Sequence, residues 1–259
     1  MASNFHTIVI KIGSSSLTNS KGNLDHSSIR RLAAEIAKLV KEKKKVILVS
    51  SGAIVSGAEK LKIGAPKSIP EKQAAAAVGQ ARLIRQYEKA FEKFKIPVAQ
   101  VLLTRDEMHD HNRYAHAHNC FAALLKEHVV PIVNENDAVA IDEIKIGDND
   151  NLAALTAKMV KADLLILLTD VDGFYMKDNK GDVFLATEIR EITREVEESA
   201  GQAGTQLGTG GMLTKIQAAK ICSDAGIPMA ILNSRKAGLI KQFLAGKKVG
   251  TLFIPKKAG

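Results

Sequence analysis

Several short apolar runs in this chain stop abruptly at clusters of small polar or charged residues. The four clearest runs cover residues 8–10, 46–49, 129–133 and 164–168, and the clusters that follow them cover 11 with 13–16, 50–52, 134–137 and 169–170. Runs that stop in this way are typical of strands buried in a parallel sheet. Because ligands of open α/β sheets bind at the carboxyl ends of the strands, the four clusters predict one shared polar site and favour an enzyme.

Strand-like and helical stretches alternate along most of the sequence. The predicted strands cover about 6–12, 45–50, 97–103, 129–133, 163–168, 228–232 and 250–254, and the clearest helices cover 28–43, 71–94, 151–161 and 212–225. This alternation predicts an α/β fold, a three-layer αβα sandwich in which helices cover both faces of a central, mainly parallel sheet. The 259 residues fit one domain of this kind. The alanine-rich stretch 73–78 predicts close helix packing, in the core or at a subunit contact.

The charge balance excludes some function classes. Lys and Arg number 37 against 28 Asp and Glu, a formal net charge of +9, which is compatible with nucleic-acid binding. The dense run 41–45, however, ends a predicted helix, where cations complement the helix dipole. Aromatic residues make up only 4% of the chain, so few side chains can stack on bases. We therefore expect no nucleic-acid partner, while the positive field attracts small anions.

The sequence also bears on the compartment. It contains no apolar run near the roughly 18 residues that a membrane helix needs, and residues 1–6 lack the apolar segment of a signal peptide. We therefore expect a cytoplasmic protein with no membrane partner. Cys120 and Cys222 are too few and too far apart for a disulfide framework or a CxxC site, and we expect both thiols to be buried.

The first strand end contains a lysine inside an apolar run. A buried ammonium at Lys11 is costly unless it meets an anion, and the following residues Gly13 and Ser14 offer backbone N–H groups that can close on phosphate oxygens. The alternative is a lysine that reaches solvent from an edge strand before an ordinary turn.

A glycine-rich segment, 197–211, precedes the predicted helix 212–225 and is a candidate lid or phosphate loop. Glycines before a helix N-terminus favour anion binding, and Lys215 lies one turn into this helix. The segment matches neither a P-loop, because Thr214 precedes the lysine, nor the GxGxxG fingerprint, because Leu213 occupies the last glycine position. The alternative is a flexible connector.

A glycine at 147 and four consecutive polar residues at 148–151 lead into the predicted helix 151–161. One of them is expected to cap that helix. An EF-hand calcium loop is excluded, because Leu152 and Ala153 occupy positions where such a loop needs an oxygen ligand and a glycine. The remaining side chains include an Asp suited to hold two lysines and an Asn suited to bind a substrate. The histidine-rich stretch 109–118 lacks metalloprotease spacing, so we interpret it as a solvated helix face or a subunit contact and expect no metal site there.

Five motifs together resemble the glutamate 5-kinase branch of the amino acid kinase family. They are IKIGSS at 10–15, VSSGAI at 49–54, IVNENDAV at 132–139, GDND at 147–150, and GTGGM at 208–212 with Thr214 and Lys215. The resemblance implies transfer of the ATP γ-phosphoryl group to the side-chain carboxylate of L-glutamate. The product is L-glutamyl 5-phosphate, and the reaction is the first step of proline biosynthesis. The alternatives are another small-acid kinase of this fold, such as an acetylglutamate or carbamate kinase, and a non-enzymatic nucleotide-sensing or RNA-binding protein, which only the net charge suggests.

The resemblance also implies roles for individual residues. Lys11 and Lys215 contact the phosphates and the transferring group, and Asp150 orients both lysines. Glutamate is held by Ser51, Asn134, Asp137 and Asn149. ATP, with Mg²⁺, is bound by Lys11, Gly13, Ser14, Thr169, Asp170, Thr209, Gly210, Gly211, Met212, Leu213, Thr214 and Lys215.

Further expectations concern the chain as a whole. Residues of about 1–160 would bind mainly glutamate, and those of about 161–259 mainly ATP. Many glutamate 5-kinases carry an additional C-terminal PUA domain, and the sequence, which stops at Gly259, is expected to be a short form without it. The resemblance further implies a homo-oligomer, a dimer or tetramer, and possible feedback inhibition by proline.

Overall fold

The computed structural model describes residues 5–104, 106–139, 149–178, 180–202 and 211–256. Within these ranges the main sheet contains eight strands in the order β3-β4-β2-β1-β5-β9-β10-β8. They are β1 (Thr7–Ile12), β2 (Lys45–Ser50), β3 (Val98–Leu103), β4 (Val130–Glu135), β5 (Leu164–Thr169), β8 (Glu188–Ile189), β9 (Met229–Asn233) and β10 (Thr251–Phe253). A separate hairpin, absent from the sequence-based prediction, pairs β6 (Phe174–Lys177) with β7 (Val183–Ala186).

The pairing pattern confirms a mainly parallel sheet. β1 lies between β2 and β5 and pairs with both in parallel, so Lys11 stands beside Val49 on one side and Leu167 on the other. Parallel pairs also join β2 to β4, β3 to β4, and β5 to β9. The pairing of β9 with β10 is antiparallel. The carboxyl ends of β1, β2, β4 and β5 therefore share one edge of the sheet.

Helices cover both faces of this sheet. They are α1 (Ser14–Leu17), α2 (His26–Lys41), α3 (Ala53–Leu61), α4 (Ile69–Glu92), α5 (Asp106–His109), α6 (His111–Lys126), α7 (Asp150–Met159), α8 (Arg194–Gln202), α9 (Met212–Asp224) and α10 (Leu239–Leu244). Successive strand residues enter different cores: Val9 packs with residues of α6, α7 and α9, whereas Ile8 and Ile10 pack with residues of α2 and α4. The three-layer αβα sandwich is confirmed.

Two helices begin earlier than the sequence-based prediction because of their caps. Asp25 accepts a hydrogen bond from the backbone N–H of Ser27 at 2.9 Å, so α2 begins at His26. Ser68 and Glu71 form a reciprocal capping box, and α4 begins at Ile69. Such caps satisfy backbone N–H groups that the first helical turn leaves without partners.

The alanine-rich stretch 73–78 forms part of a close contact between α3 and α4. A Cβ atom on Gly57 would overlap the carbonyl oxygen of Ala75, and one on Gly79 would overlap that of Ala53. The backbones therefore approach more closely than larger side chains allow, as expected for packing in the core. Because α3 begins directly after Ser51 and Gly52, this contact also positions the polar end of β2.

Two expectations are wrong in part. The segment 197–211 is not one irregular loop, because α8 extends to Gln202; residues 203–210 lie outside the described residues. Cys222 is buried, but Cys120 is exposed.

The buried residues of α6 are Phe121 and Leu125, one turn apart, so its other sides, including much of the histidine-rich stretch, face outward. None of the described helices is both long and apolar enough to cross a membrane.

Candidate active site

Three charged side chains from distant parts of the sequence meet at the carboxyl edge of the sheet. Asp150 lies between two lysines: its Oδ1 is 2.6 Å from Nζ of Lys11, and its Oδ2 is 3.0 Å from Nζ of Lys215. Asp150 is fully buried, and the lysines are 5% and 7% exposed. The alternative interpretation of Lys11, as an edge-strand lysine that reaches solvent, is therefore excluded, because β1 is a central strand.

The protonation of this cluster follows from its charges. Burial by itself raises the pKa of Asp150, but the ammonium groups of Lys11 and Lys215 outweigh burial and hold the pKa below its ordinary value of 3.8. The carboxyl group is therefore ionised at neutral pH. Among the described side chains of this cluster, two positive charges face one negative charge, an excess that favours the approach of an anion.

The starts of two helices form this cluster. Asp150 is the first residue of α7, and Lys215 lies in the first turn of α9, whose N-cap residue is Gly211. The Thr214 hydroxyl lies 3.1 Å from Oδ2 of Asp150 and 2.8 Å from the carbonyl oxygen of Gly211, which joins the two helix starts. Helix N-termini carry unpaired N–H groups and a positive dipole end, so both add to the attraction for an anion.

A network of neutral polar side chains adjoins the charged cluster. Nδ2 of Asn149 donates to Oγ of Ser51 at 3.1 Å and to Oδ1 of Asn134 at 2.8 Å. Nδ2 of Asn134 in turn donates to Oε1 of Gln80 at 2.9 Å. Ser51 follows β2, Asn134 belongs to β4 and Asn149 precedes α7, so three of the predicted acid-binding residues meet here.

The fourth predicted acid-binding residue, Asp137, follows β4 by two residues. It lies in a cavity of about 220 Å³ whose wall includes Gln80 and Glu135. Burial raises the pKa of the Asp137 carboxyl to about 6. Gln80 connects this cavity to the amide network, because it also accepts the hydrogen bond of Asn134. A larger cavity, of about 290 Å³, lies elsewhere, between β8, β10 and α9, so volume alone does not locate the site.

The described members of the predicted nucleotide-binding set lie in or follow β1, end or follow β5, or belong to the start of α9. Gly13 is directly beside Lys11, since a Cβ atom on it would be 3.5 Å from Nζ, and Ser14 begins α1. Thr169 ends β5, and its hydroxyl lies 3.2 Å from Oδ1 of Asp170. On α9, Met212 packs against the core and Leu213 is exposed. Thr209 and Gly210 lie outside the described residues.

Gln80 is a member of the amide network that the sequence-based prediction missed. It lies on the buried side of α4 with Ala76, Leu83 and Tyr87. A glutamine at an otherwise apolar position of an amphipathic helix is a signal, because a buried amide needs hydrogen-bond partners. The sequence motifs lie at strand ends and helix starts, whereas Gln80 lies in the middle of α4 and belongs to none of them.

The sequence of residues 6–233 matches the model of the amino acid kinase family. The chain belongs to this family. A glutamate 5-kinase of Geobacter metallireducens is 49% identical over 253 residues, which cover 96% of this chain and 68% of the relative. A glutamate 5-kinase of Clostridium acetobutylicum is 50% identical over 258 residues, which cover 98% of this chain and 96% of the relative.

Solved structures agree on the family fold. Carbamate kinase from Giardia lamblia, bound to AMP-PNP, superposes with a TM-score of 0.69 at 20% identity, covering 99% of this chain and all of the other. UMP kinase from Bacillus anthracis superposes with a TM-score of 0.60 at 16% identity, covering 96% of each chain. At these identities the likeness concerns the fold alone.

Proposed function

We propose that this chain is a glutamate 5-kinase, which transfers the γ-phosphoryl group of ATP to the side-chain carboxylate of L-glutamate. The product is L-glutamyl 5-phosphate, the first intermediate of proline biosynthesis. One observation carries the proposal: the consecutive residues Asn149 and Asp150 join an amide network suited to an amino acid to a two-lysine cluster suited to phosphates. Relatives of about 50% identity that bear this name support the choice of acid.

The chemistry needs no general base. A glutamate side chain has a pKa near 4.3, so its carboxylate is already an ionised nucleophile at neutral pH. What remains is to bring two anions together in line and to stabilise the charge that develops on the transferring group. Lys11 and Lys215 supply that charge, and Asp150 holds both ammonium groups in position.

The other residues divide between the two substrates. Ser51, Asn134 and Asn149 bind the glutamate backbone through hydrogen bonds, and Asp137 pairs with its ammonium group. Gly13, Ser14, Thr169, Asp170 and residues 209–215 bind ATP. Residues of about 1–160 then serve mainly glutamate, and those of about 161–259 mainly ATP, apart from Lys11, Gly13 and Ser14.

Mg²⁺ fits this site as a companion of the nucleotide. Among the side chains that the structure describes, no three His, Cys, Asp or Glu residues converge to hold a metal, and the Asp150 carboxylate already binds two ammonium groups. Mg²⁺ often binds through phosphate oxygens and water, with few protein ligands. When bound in that way it neutralises phosphate charge. A homo-oligomer, inhibition by proline and a cytoplasmic location stay predictions.

The test is ADP release by the purified chain with Mg-ATP and a panel of glutamate, N-acetylglutamate, aspartate and carbamate. We expect turnover with glutamate alone at appreciable rate. Turnover with N-acetylglutamate or carbamate but not with glutamate would show that the chain is a different small-acid kinase and that glutamate is not its substrate. Release of ADP with none of the acids would favour a nucleotide-binding protein without this activity.

A further inference from the structure

The position of Gln80 suggests more than a structural role. Its side chain lies on the buried side of α4, 9% exposed, and its buried neighbours on that helix are mostly apolar. A buried amide at such a position lowers the stability of the fold unless its donors and acceptors form hydrogen bonds. Here Oε1 accepts from Nδ2 of Asn134 at 2.9 Å, and Nε2 donates towards Oε1 of Gln100 at 3.4 Å.

The side chains of Gln80, Asn134 and Asn149 form a relay with one direction. In each link an NH₂ group donates to the carbonyl oxygen of the next amide, from Asn149 to Asn134 and from Asn134 to Gln80. If the Gln80 amide alone were reversed, two NH₂ groups would face each other and the link would be lost. The direction of the Gln80 amide is therefore coupled to the direction of Asn149.

This direction determines what the site offers to a ligand. Nδ2 of Asn149 has two hydrogens, and both are used, one towards Asn134 and one towards Ser51. The group that Asn149 offers to a ligand is then its carbonyl oxygen, an acceptor. The Ser51 hydroxyl accepts from Asn149, so its own hydrogen is available to a ligand oxygen. An acceptor beside a donor matches the ammonium and carboxylate groups of a free α-amino acid.

We propose that Gln80 is a positioning residue that makes the acid site select a free α-ammonium group. It acts through Asn134, whose carbonyl it keeps turned towards Asn149, so that the Asn149 oxygen faces the substrate. Without this acceptor, the Asn134 amide can rotate and present its NH₂ group to Asn149, which then offers a donor in place of an acceptor. The inference deepens the proposed function and rests on glutamate being the acid.

The experiment compares glutamate with glutarate, which has the same two carboxylates but no amino group. The measured quantity is the ratio of kcat/KM for the two acids, with KM for ATP and the melting temperature as further readouts. A hydrogen bond to a charged group corresponds to a change of roughly tenfold or more. We expect Gln80→Met to lower the glutamate-to-glutarate ratio about tenfold, chiefly through KM for glutamate, with KM for ATP within about twofold.

Two further variants separate positioning from general damage. Gln86→Met makes the same chemical change on the same helix at a half-buried position, and should keep the wild-type ratio. Gln80→Glu keeps the acceptor for Asn134, and should keep a ratio at least as high as the wild type even if overall activity falls. It is informative even where Gln80→Met does not fold.

The outcomes are distinguishable. A tenfold lower ratio in Gln80→Met together with a retained ratio in Gln80→Glu supports the inference. An unchanged ratio in a folded Gln80→Met variant, or a ratio that also falls tenfold in Gln80→Glu, overturns it. Absence of ADP release by the wild type with glutamate would instead overturn the proposed function, and this measurement is made first.

Discussion

Asn149 and Asp150 are neighbours in sequence, yet their side chains belong to two different groups of residues. The Asn149 amide donates to Ser51 and Asn134, whereas the Asp150 carboxylate binds Lys11 and Lys215. The start of α7 lies between these residues, so one helix end places both side chains. A displacement of this helix would therefore disturb the acid side and the phosphate side together.

Lys215→Ala should lower kcat about 10²- to 10³-fold and leave KM for glutamate within a few-fold, because Lys215 stabilises charge that develops in the transition state. Steady-state kinetics with varied glutamate and ATP checks this. The matched control is Lys220→Ala on the same helix, whose Nζ pairs with Glu197 at the surface at 2.8 Å and which should retain activity. A Lys215→Ala variant that loses only glutamate affinity would contradict the role assigned here.

Asp150→Ala should lower the free energy of unfolding by about 3–5 kcal/mol, because it removes the buried carboxylate that binds the ammonium groups of both Lys11 and Lys215. Urea unfolding at pH 7 measures this. Adding Lys215→Met should restore part of the loss, since one of the two buried positive charges is removed. A loss below about 1 kcal/mol would show that water or anions already compensate the lysines. Because the folded-state pKa of Asp150 is lowered, its stabilising effect is present above its ordinary pKa of 3.8 and is lost as the pH falls towards the folded value.

The pH dependence should report Asp137. Its pKa is raised to about 6 by burial, so the carboxyl loses its charge below this pH and no longer pairs with the substrate ammonium group. We expect kcat/KM for glutamate to fall as the pH drops through about 6, while KM for ATP changes little. Asp137→Asn should lower activity and remove this dependence, whereas Asp224→Asn, at the exposed end of α9, should leave it intact.

The raised pKa of Asp137 also predicts that low pH, which weakens glutamate binding, increases the stability of the fold. A raised folded-state pKa means that the ionised Asp137 destabilises the fold above about pH 6, and that stability rises as the pH falls towards 3.8. Asp137→Asn should therefore stabilise the ligand-free protein at pH 8, by about 1–3 kcal/mol. Thermal unfolding in parallel with the kinetics tests whether binding and stability oppose each other at this residue. Equal stability of the two proteins at pH 8 would show that Asp137 is not desolvated.

Replacement by alanine should affect stability at Ser50 but glutamate binding at Ser51. Ser50 lies 2.7 Å from the hydroxyl of the buried Tyr87, whereas Ser51 accepts from Asn149. Ser50→Ala should cost about 1–3 kcal/mol of stability and leave KM for glutamate near the wild-type value. Ser51→Ala should raise KM for glutamate about 3- to 30-fold with little loss of stability. The assignment of Ser51 to the acid side is refuted if the two variants behave alike.

Gly57→Ala and Gly79→Ala should each destabilise the protein by about 1–3 kcal/mol, because the added methyl group meets backbone atoms of the neighbouring helix. Chemical unfolding is the measurement. Gly64→Ala is the control, since nothing lies within 4 Å of its Cβ position. Tolerance of both helix substitutions would mean that α3 and α4 separate at little cost.

The sequence was sufficient to locate the strands whose carboxyl ends carry the site, but not their order in the sheet. Apolar runs such as 164–168 stop where polar residues begin. The length of such a run and the spacing of its apolar residues are local features of the sequence, so they predict a strand without knowledge of the tertiary structure. The apolar periodicity predicts the starts of α2 and α4 at residues 28 and 71, whereas the helices begin at His26 and Ile69, because their caps are made by single side chains outside the periodic pattern. The exposure of Cys120 was misjudged, since residue type predicts burial only on average.

The sequence by itself determined the α/β class, the mainly parallel sheet and the residue types at the strand ends and helix starts, because each depends on short-range patterns. It did not determine which of those residues touch. That Asp150 orients Lys11 and Lys215 was implied only by the family resemblance, and the tertiary structure brings these residues together from some 139 and 65 residues away along the chain. It also brought Gln80 from the middle of α4 against Asn134. Such contacts depend on how helices pack across the sheet edge, and that packing is a long-range property that no local pattern encodes.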